Sequence, residues 1–252
     1  HAGVIRRGEF RDYIARLRLK EDYPGIQGIR FVPVVPKAAK ERHIAAMRKE
    51  NSSSYNIWPE GRREVYAPVV YAEPYDLRNQ QVFGYDMLSD REYPRPGDSA
   101  PGLRRAALEQ ARDAGDFAIS GKIRLVFETG QDVQHGFVMF LPVYRYGAPH
   151  NTLAERRANI IGWAAAAFRM NELMFGVLGD SAADLDVEIF DGEEMSEAAL
   201  LYDPDYSHDE KRLKTAWLKS IVRVEVVGHS WTLAISSLPD FEARLDKAKA
   251  EL

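Results

Sequence analysis

No cysteine occurs among the 252 residues. That absence removes disulfides, thiolate nucleophiles and thiolate metal ligands together, and it is compatible with a periplasmic setting. Long apolar runs are missing too: none approaches the ~18–20 residues of a membrane span. Positive charge is not in excess. Lys and Arg number 34 against 38 Asp and Glu, a formal net charge of −4, so no basic footprint points to nucleic acid. The chain opens His-Ala-Gly, without an initiator methionine or a signal peptide. The expectation is a piece of a longer protein whose membrane helices lie outside it.

Catalytic and metal signatures are equally scarce. His43, His135, His150, His208 and His229 are scattered, with no i, i+4 pair, so no metal site is expected. Gly115 to Lys122 fails as a phosphate loop, because Ile123 stands where a magnesium-holding hydroxyl belongs. No G-x-S-x-G nucleophile turn occurs. The carboxylate pairs Glu193-Glu194 and Asp203/Asp205 fall in polar loops. With no acid, base and nucleophile together, neither catalytic residues nor a cofactor are expected.

What is present is a globular composition, 45% hydrophobic and 29% charged, long enough for one large domain or two small ones. Phe10, Tyr13, Ile14 and Leu17 form a helical stripe within 4–19, which either packs on its own domain or meets a second subunit. Strands are expected at 26–35 and 64–74, with a charged helix between them from Pro36 to about Lys49. A proline-rich loop at 91–102 follows, placed to act as a lid. A helix at 104–114 stops at Gly115, and strands run over 116–128 and 135–146. Thr152 and Glu155 make a capping box that opens a helix expected to reach about Phe175. Four short strands follow, at 186–190, 198–202, 221–227 and 231–236. Gly228-His229 is the expected hairpin loop between the last two, and a charged helix runs from 239 to 252.

One carboxylate stands out. Asp86, in Gly84–Asp90 (GYDMLSD), lies at the entrance of the apolar strands. It either caps a turn beginning at Met87 or accepts hydrogen bonds from a ligand's N–H donors.

These residues carry a resemblance. YPGIQGIRFVPVV, the spaced Tyr55, Ile57, Pro59, Gly61, Arg63, Tyr66, Pro68 and Val69, GYDMLSD, ALEQARDAGDFAISGKIRL, LPVYR, and Thr152 to Met170 resemble the CHASE domain from about Phe10 to Leu238. CHASE domains are the extracytoplasmic sensors of histidine kinases, diguanylate cyclases and plant cytokinin receptors. The resemblance implies an α+β fold: a long N-terminal stalk helix (1–22), a membrane-distal PAS-like ligand-binding domain (23–150), and a membrane-proximal PAS-like domain with a C-terminal helix (151–252). It also implies a homodimer through the stalk, tethered to the membrane and facing the periplasm or extracellular side.

By that resemblance Asp86 takes the adenine-edge aspartate position of cytokinin receptors, and Ile119 the position of a backbone contact. Phe140 stands where those receptors have threonine. The expected ligand site is therefore Asp86 as anchor, backbone groups of Ile119 and Ser120, and apolar walls from Tyr71, Leu125 and Phe140. The ligand is a small molecule with N–H donors, adenine- or cytokinin-like in character. The alternative is a ligandless dimerisation or protein-interaction module with a filled core, for which the bulk of Phe140 and Phe137 argues. A hydrolase using Asp86 as base ranks third.

Overall fold

The computed structural model describes residues 6–23, 25–50, 54–90, 96–128, 133–179, 184–204 and 210–250. In chain order the elements are α1 (Arg7–Arg16), α2 (Leu19–Asp22), β1 (Ile26–Pro33), β2 (Val35–Pro36), α3 (Lys40–Glu50), β3 (Val65–Tyr66), β4 (Tyr71–Glu73), α4 (Leu77–Gln80) and α5 (Leu103–Ala114). Next come β5 (Ala118–Ile119), β6 (Ile123–Arg124), β7 (His135–Tyr144), α6 (Leu153–Asn159), β8 (Ile160–Arg169) and α7 (Met170–Leu178). The chain closes with β9 (Leu185–Asp191), β10 (Leu200–Tyr202), α8 (Glu210–Thr215), β11 (Lys219–Val226), β12 (His229–Ser237) and α9 (Pro239–Ala250).

The strands form an antiparallel sheet in the order β4-β1-β8-β7-β5, with β6 also on β7, and a second antiparallel sheet in the order β10-β9-β12-β11. β2 and β3 make a separate two-stranded pair. Side chains alternate across the first sheet. One face buries Val32, Val138, Phe140, Trp163 and Ala165 under α5, where the Trp163 indole N–H donates to the Leu108 carbonyl at 3.0 Å. The other face is divided. Phe31 and Tyr71 pack with Ile44 and Met47 of α3, while Ile119 and Phe137 pack with Val187, Ile189 and Trp231 of the second sheet.

A polar clamp ties the second sheet to the first. Asp191 on β9 accepts from the Lys122 N–H at 2.6 Å and pairs with His229 Nε2 at 2.6 Å. Burial works against its charge, but these partners hold the carboxyl below its ordinary range.

Three expectations are corrected. The helix from Thr152 to Phe175 is a capped seven-residue helix, a ten-residue strand and a second helix. Its alanines favour helix locally. Sandwiched between β1 and β7, however, they act as the small residues of a sheet buried on both faces. Gly162 is required there, since a Cβ would lie 2.5 Å from the Val32 carbonyl oxygen. As a result β8 pairs with β1 and β7 and belongs to the first sheet.

The stalk is also short. α1 has ten residues, and Arg18 in the left-handed region (φ 48°) separates it from α2. Ile14 is buried and Phe10 meets the Tyr71 ring at 5.9 Å, so that part of the stripe packs on its own domain, while Tyr13 is 64% exposed. Finally, the hairpin loop is Val227-Gly228 (φ 53° and 72°), one residue earlier than expected, and His229 begins β12 opposite Val226.

Two further expected strands are interrupted. Residues 116–128 hold the short β5 and β6, and residues 64–74 hold β3 and β4. Part of the expected lid, 91–95, and of the polar loop, 205–209, lies outside the described residues.

The β7–β8 contact gives a direct test. A Cβ at Gly136 would lie 1.9 Å from the Phe168 carbonyl oxygen, backbone that cannot yield without breaking the ladder. Gly136→Ala is expected to cost about 1–3 kcal/mol, read from the urea midpoint. An unchanged midpoint would show that the two strands are less tightly apposed.

Candidate functional site

The site is built on the turn at Gly84–Asp90. Gly84 has φ 76°, and a Cβ there would fall 1.9 Å from the Asn56 carbonyl oxygen, so no other residue fits. The turn is sewn to the 56–58 segment: the Trp58 N–H donates to the Gly84 carbonyl at 2.9 Å, and the Asp86 N–H to the Trp58 carbonyl at 2.8 Å.

Asp86 is completely buried. Its Oδ1 accepts from the Ala67 N–H at 2.8 Å and the Leu88 N–H at 3.1 Å, and Oδ2 lies 3.3 Å from Arg63 Nη1. The Leu88 bond is an aspartate-capped turn, the local role weighed above. Behind it, burial and then the charge on Asp86 push the Tyr55 hydroxyl pKa up.

Asp90 closes the same turn and performs a second capping job. The residue before α5, Gly102, has no side chain to cap it, and Asp90 accepts from the Arg104 N–H (2.8 Å) and the Arg105 N–H (3.4 Å) instead. Arg104, 1% exposed, then bonds Asp98 at 2.6 Å, the Arg124 carbonyl at 2.7 Å, and approaches Asp90 at 3.6 Å. Burial pushes the Asp90 carboxyl up against the pull of Arg104. The two motif aspartates thus hold the segment before α5 onto the sheet.

The expected lining residues divide between two faces of the sheet. Leu125 and Phe140 pack with Tyr85, Met87 and Leu88 of the Asp86 turn in one buried layer. Ser120 is buried; its N–H donates to the Val138 carbonyl at 2.9 Å and its Oγ accepts from the Val138 N–H at 3.0 Å. Tyr71 lies on the opposite face, stacked on Phe31 at 6.3 Å with its hydroxyl donating to Glu50 at 3.2 Å; burial and Glu50 push that hydroxyl up to about 12. It is therefore not a wall of the layer that holds Leu125 and Phe140. The Ile119 side chain faces the second sheet. Strand alternation explains both positions, since a residue one place along points the other way.

Sequence reasoning missed Arg30. This side chain is 1% exposed and lies on the Phe140 face: the register row across the sheet reads Ala72, Arg30, Ala165, Phe140, Ala118. Its Nη2 donates to Asn79 Oδ1 at 2.6 Å, and its guanidinium carbon sits 5.6 Å from the Phe127 ring centre. No carboxylate lies within ion-pair distance of it among the described residues, and burial lowers its pKa to about 10 against the opposing charge of the more distant Asp76. A single charged residue in the strand Ile26–Pro33 was the available signal.

Also missed was a groove of about 890 Å³ lined by Tyr23, Gln27, Leu77, Arg78, Glu172 and Phe175, among others. A cleft of about 400 Å³ with aromatic walls from Tyr55, Trp58, Tyr75 and Phe83 opens beside the Asp86 turn.

Residues 3–202 match the CHASE domain family, and the chain belongs to it. The hybrid signal transduction histidine kinase A of Dictyostelium discoideum is 24% identical over 193 residues, which is 71% of this chain and 8% of that protein. The chain thus spans a small part of that relative's length.

Among solved structures, an extracellular ligand binding receptor from Desulfohalobium retbaense matches at a TM-score of 0.48 and 10% identity, over 93% of this chain and 34% of the other. The ligand-binding domain of the Pseudomonas aeruginosa PAO1 amino acid chemoreceptor PctC, solved with GABA, matches at 0.31 and 16%, over 59% and 67%. No helix among the described residues is long and apolar enough to cross a membrane.

Proposed function

We propose that this chain is the extracytoplasmic ligand-sensing part of a membrane-tethered, homodimeric signalling receptor, of the histidine kinase or diguanylate cyclase kind. It takes a small molecule with N–H donors into the layer beneath the first sheet. Asp86 is the anchor, the Ile119–Ser120 backbone borders the site, and Leu125 and Phe140 are its apolar walls. The observation that supports this reading is the Asp86–Arg63 ion pair at the turn that borders that layer, with side chains 0% and 8% exposed. A carboxylate kept charged within a core is costly unless charge or donors meet it, so it discriminates sharply between ligands that supply donors and those that do not. Ligand N–H groups exchange with Arg63, which then reaches solvent. Occupancy shifts a two-state dimer only through a difference in affinity between its two arrangements.

A second reading, a ligandless interaction module, is favoured by one observation: Phe140 is fully buried and the Asp86 carboxylate already has internal partners.

Calorimetry with adenine and mass spectrometry of the denatured protein separate the two. A co-purified small molecule, or adenine binding that falls at least roughly tenfold in Asp86→Asn, supports the sensor; charge-assisted hydrogen bonds carry about that much. The amide keeps an acceptor for Ala67 and Leu88, so the fold survives. Binding that Asp86→Asn leaves unaltered removes Asp86 as anchor, and an empty protein that binds nothing favours the second reading.

A further inference from the structure

Arg30 is an anomaly that the Asp86 site does not explain. A guanidinium buried to 1% exposure is expected to meet a carboxylate, because the cost of taking the cation out of water is otherwise uncompensated. Its hydrogen bonds show what is missing. Nη1 donates to the Gly28 carbonyl at 3.4 Å and Nη2 to Asn79 Oδ1 at 2.6 Å, while Nε has no partner among the described residues. Nε–H and the adjacent Nη2–H form one straight edge of the guanidinium, shaped for the two oxygens of a carboxylate. Asn79 supplies one oxygen to that edge and cannot supply a second.

Asn79 is also the partition between Arg30 and open space. Its Nδ2 donates to the Gln27 carbonyl at 3.0 Å and the Pro74 carbonyl at 2.9 Å. Gln27, Pro74, Asp76, Leu77 and Arg78 all line the 890 Å³ groove, so the residues that Asn79 bonds or adjoins form its wall, and Asn79 and Arg30 lie one step beyond that wall. The element bearing Asn79 is the single-turn helix α4, whose Leu77 is 80% exposed. Gly28 lets the side chain come this close, since a Cβ there would lie 2.9 Å from Asn79 Nδ2. The volume is within the range of small-molecule sites. The two carboxylates that line the groove already have partners: Asp76 accepts from the Asn79 N–H at 2.8 Å, and Glu172 pairs with Arg169 at 2.5 Å and accepts from Gln27 at 2.6 Å, while Arg78 donates to Gln27 at 3.2 Å.

We infer that Arg30 is a ligand-binding residue: a small molecule bearing a carboxylate enters the groove, displaces Asn79 from the guanidinium edge, and pairs with Nε and Nη2 of Arg30. The inference rests on the small-molecule reading above and adds a requirement for negative charge at a side chain remote in sequence from Asp86. Moving Asn79 moves α4 and, with it, the chain leading into the Asp86 turn, so an acid bound here acts on the same segment that Asp86 anchors.

The test uses the chain as it stands, with acetate, benzoate and phenylacetate as probes and their neutral amides as controls, read by calorimetry. At least one acid is expected to bind, with its amide at least roughly tenfold weaker, the scale of a charge-assisted pair. Arg30→Met is expected to lose that binding while folding, because an apolar side chain of similar volume removes the buried cation. The Nε–H resonance of Arg30 in ¹⁵N spectra is expected to shift on adding the acid, which a purely structural arginine would not show.

Equal binding of acid and amide, an unaffected Arg30→Met, or an unmoved Nε–H signal would each overturn the inference. If adenine binds and no carboxylate does, the inference fails and the small-molecule reading stands. If no probe of either kind binds, both fail.

Discussion

Replacing Arg104 with methionine is expected to cost about 3–5 kcal/mol at pH 7, because it strands two buried carboxylates. For a chain of this length that is a fall in melting temperature of roughly 6–20 °C. Arg104 bonds Asp98 at 2.6 Å and faces Asp90 at 3.6 Å, with the three side chains 1%, 3% and 0% exposed. Asp90 also caps α5, so its neutralisation loosens the helix as well as the core. Lysine is not a substitute, since a point charge cannot bond Asp98 and the Arg124 carbonyl together.

The deficit carries a pH signature. Burial already pushes the Asp90 carboxyl above its ordinary value, and losing Arg104 raises it further. A carboxyl that binds its proton more tightly folded than unfolded favours folding at low pH. That stability disappears as pH rises through the folded value. The gap between variant and wild type should therefore be smallest near pH 4 and widen toward pH 7 in a series of thermal melts. A gap of less than 1 kcal/mol, or one that does not change with pH, would mean the carboxylates reach water or another cation.

Phe140→Ala is the second large effect, about 3–5 kcal/mol, the usual range for emptying a buried ring. Phe140 is fully buried between Ala118 and Ala165 in the register row, and neither alanine can fill the hole. The vacated space lies in the layer that holds Leu125 and the Asp86 turn. Added benzene is therefore expected to recover part of the loss, as apolar cavities of this size accept such guests. Denaturant midpoints with and without benzene check both halves. A loss under 1 kcal/mol without rescue would show that the layer collapses around the gap, or that Phe140 can already leave it. If Phe140→Ala also binds adenine more tightly than wild type, the ring limits the size of ligand the layer admits.

Much of the local structure was legible because local chemistry decides it. The capping box at Thr152 and Glu155 needs only residues three apart, and it is present. Gly115 ends α5 in the left-handed region, as a glycine at that place is expected to do. The Asp86 turn was legible for the same reason, since its carboxylate caps an N–H two residues on. What misled was the run from Ile160 to Phe175. Four alanines in a row favour helix when nothing else touches them. Between β1 and β7 they are the residues small enough for a sheet covered on both faces, and the neighbouring strands overrode propensity.

The sequence alone determined that the chain has no thiol and no apolar run of membrane-span length, fixed individual turns and helix ends through short-range capping, and, in the order of its motifs, carried the resemblance to the CHASE family. Only the tertiary structure decided which side of the sheet each residue faces. Tyr71 and Ile119 turn away from Phe140, while Arg30 joins it, because in a strand one step of register reverses direction and only pairing partners fix the register. It also decided that Asp86 meets Arg63 and that Arg30 bonds Asn79, since groups brought together from 23 or 49 residues apart leave no mark on the sequence between them.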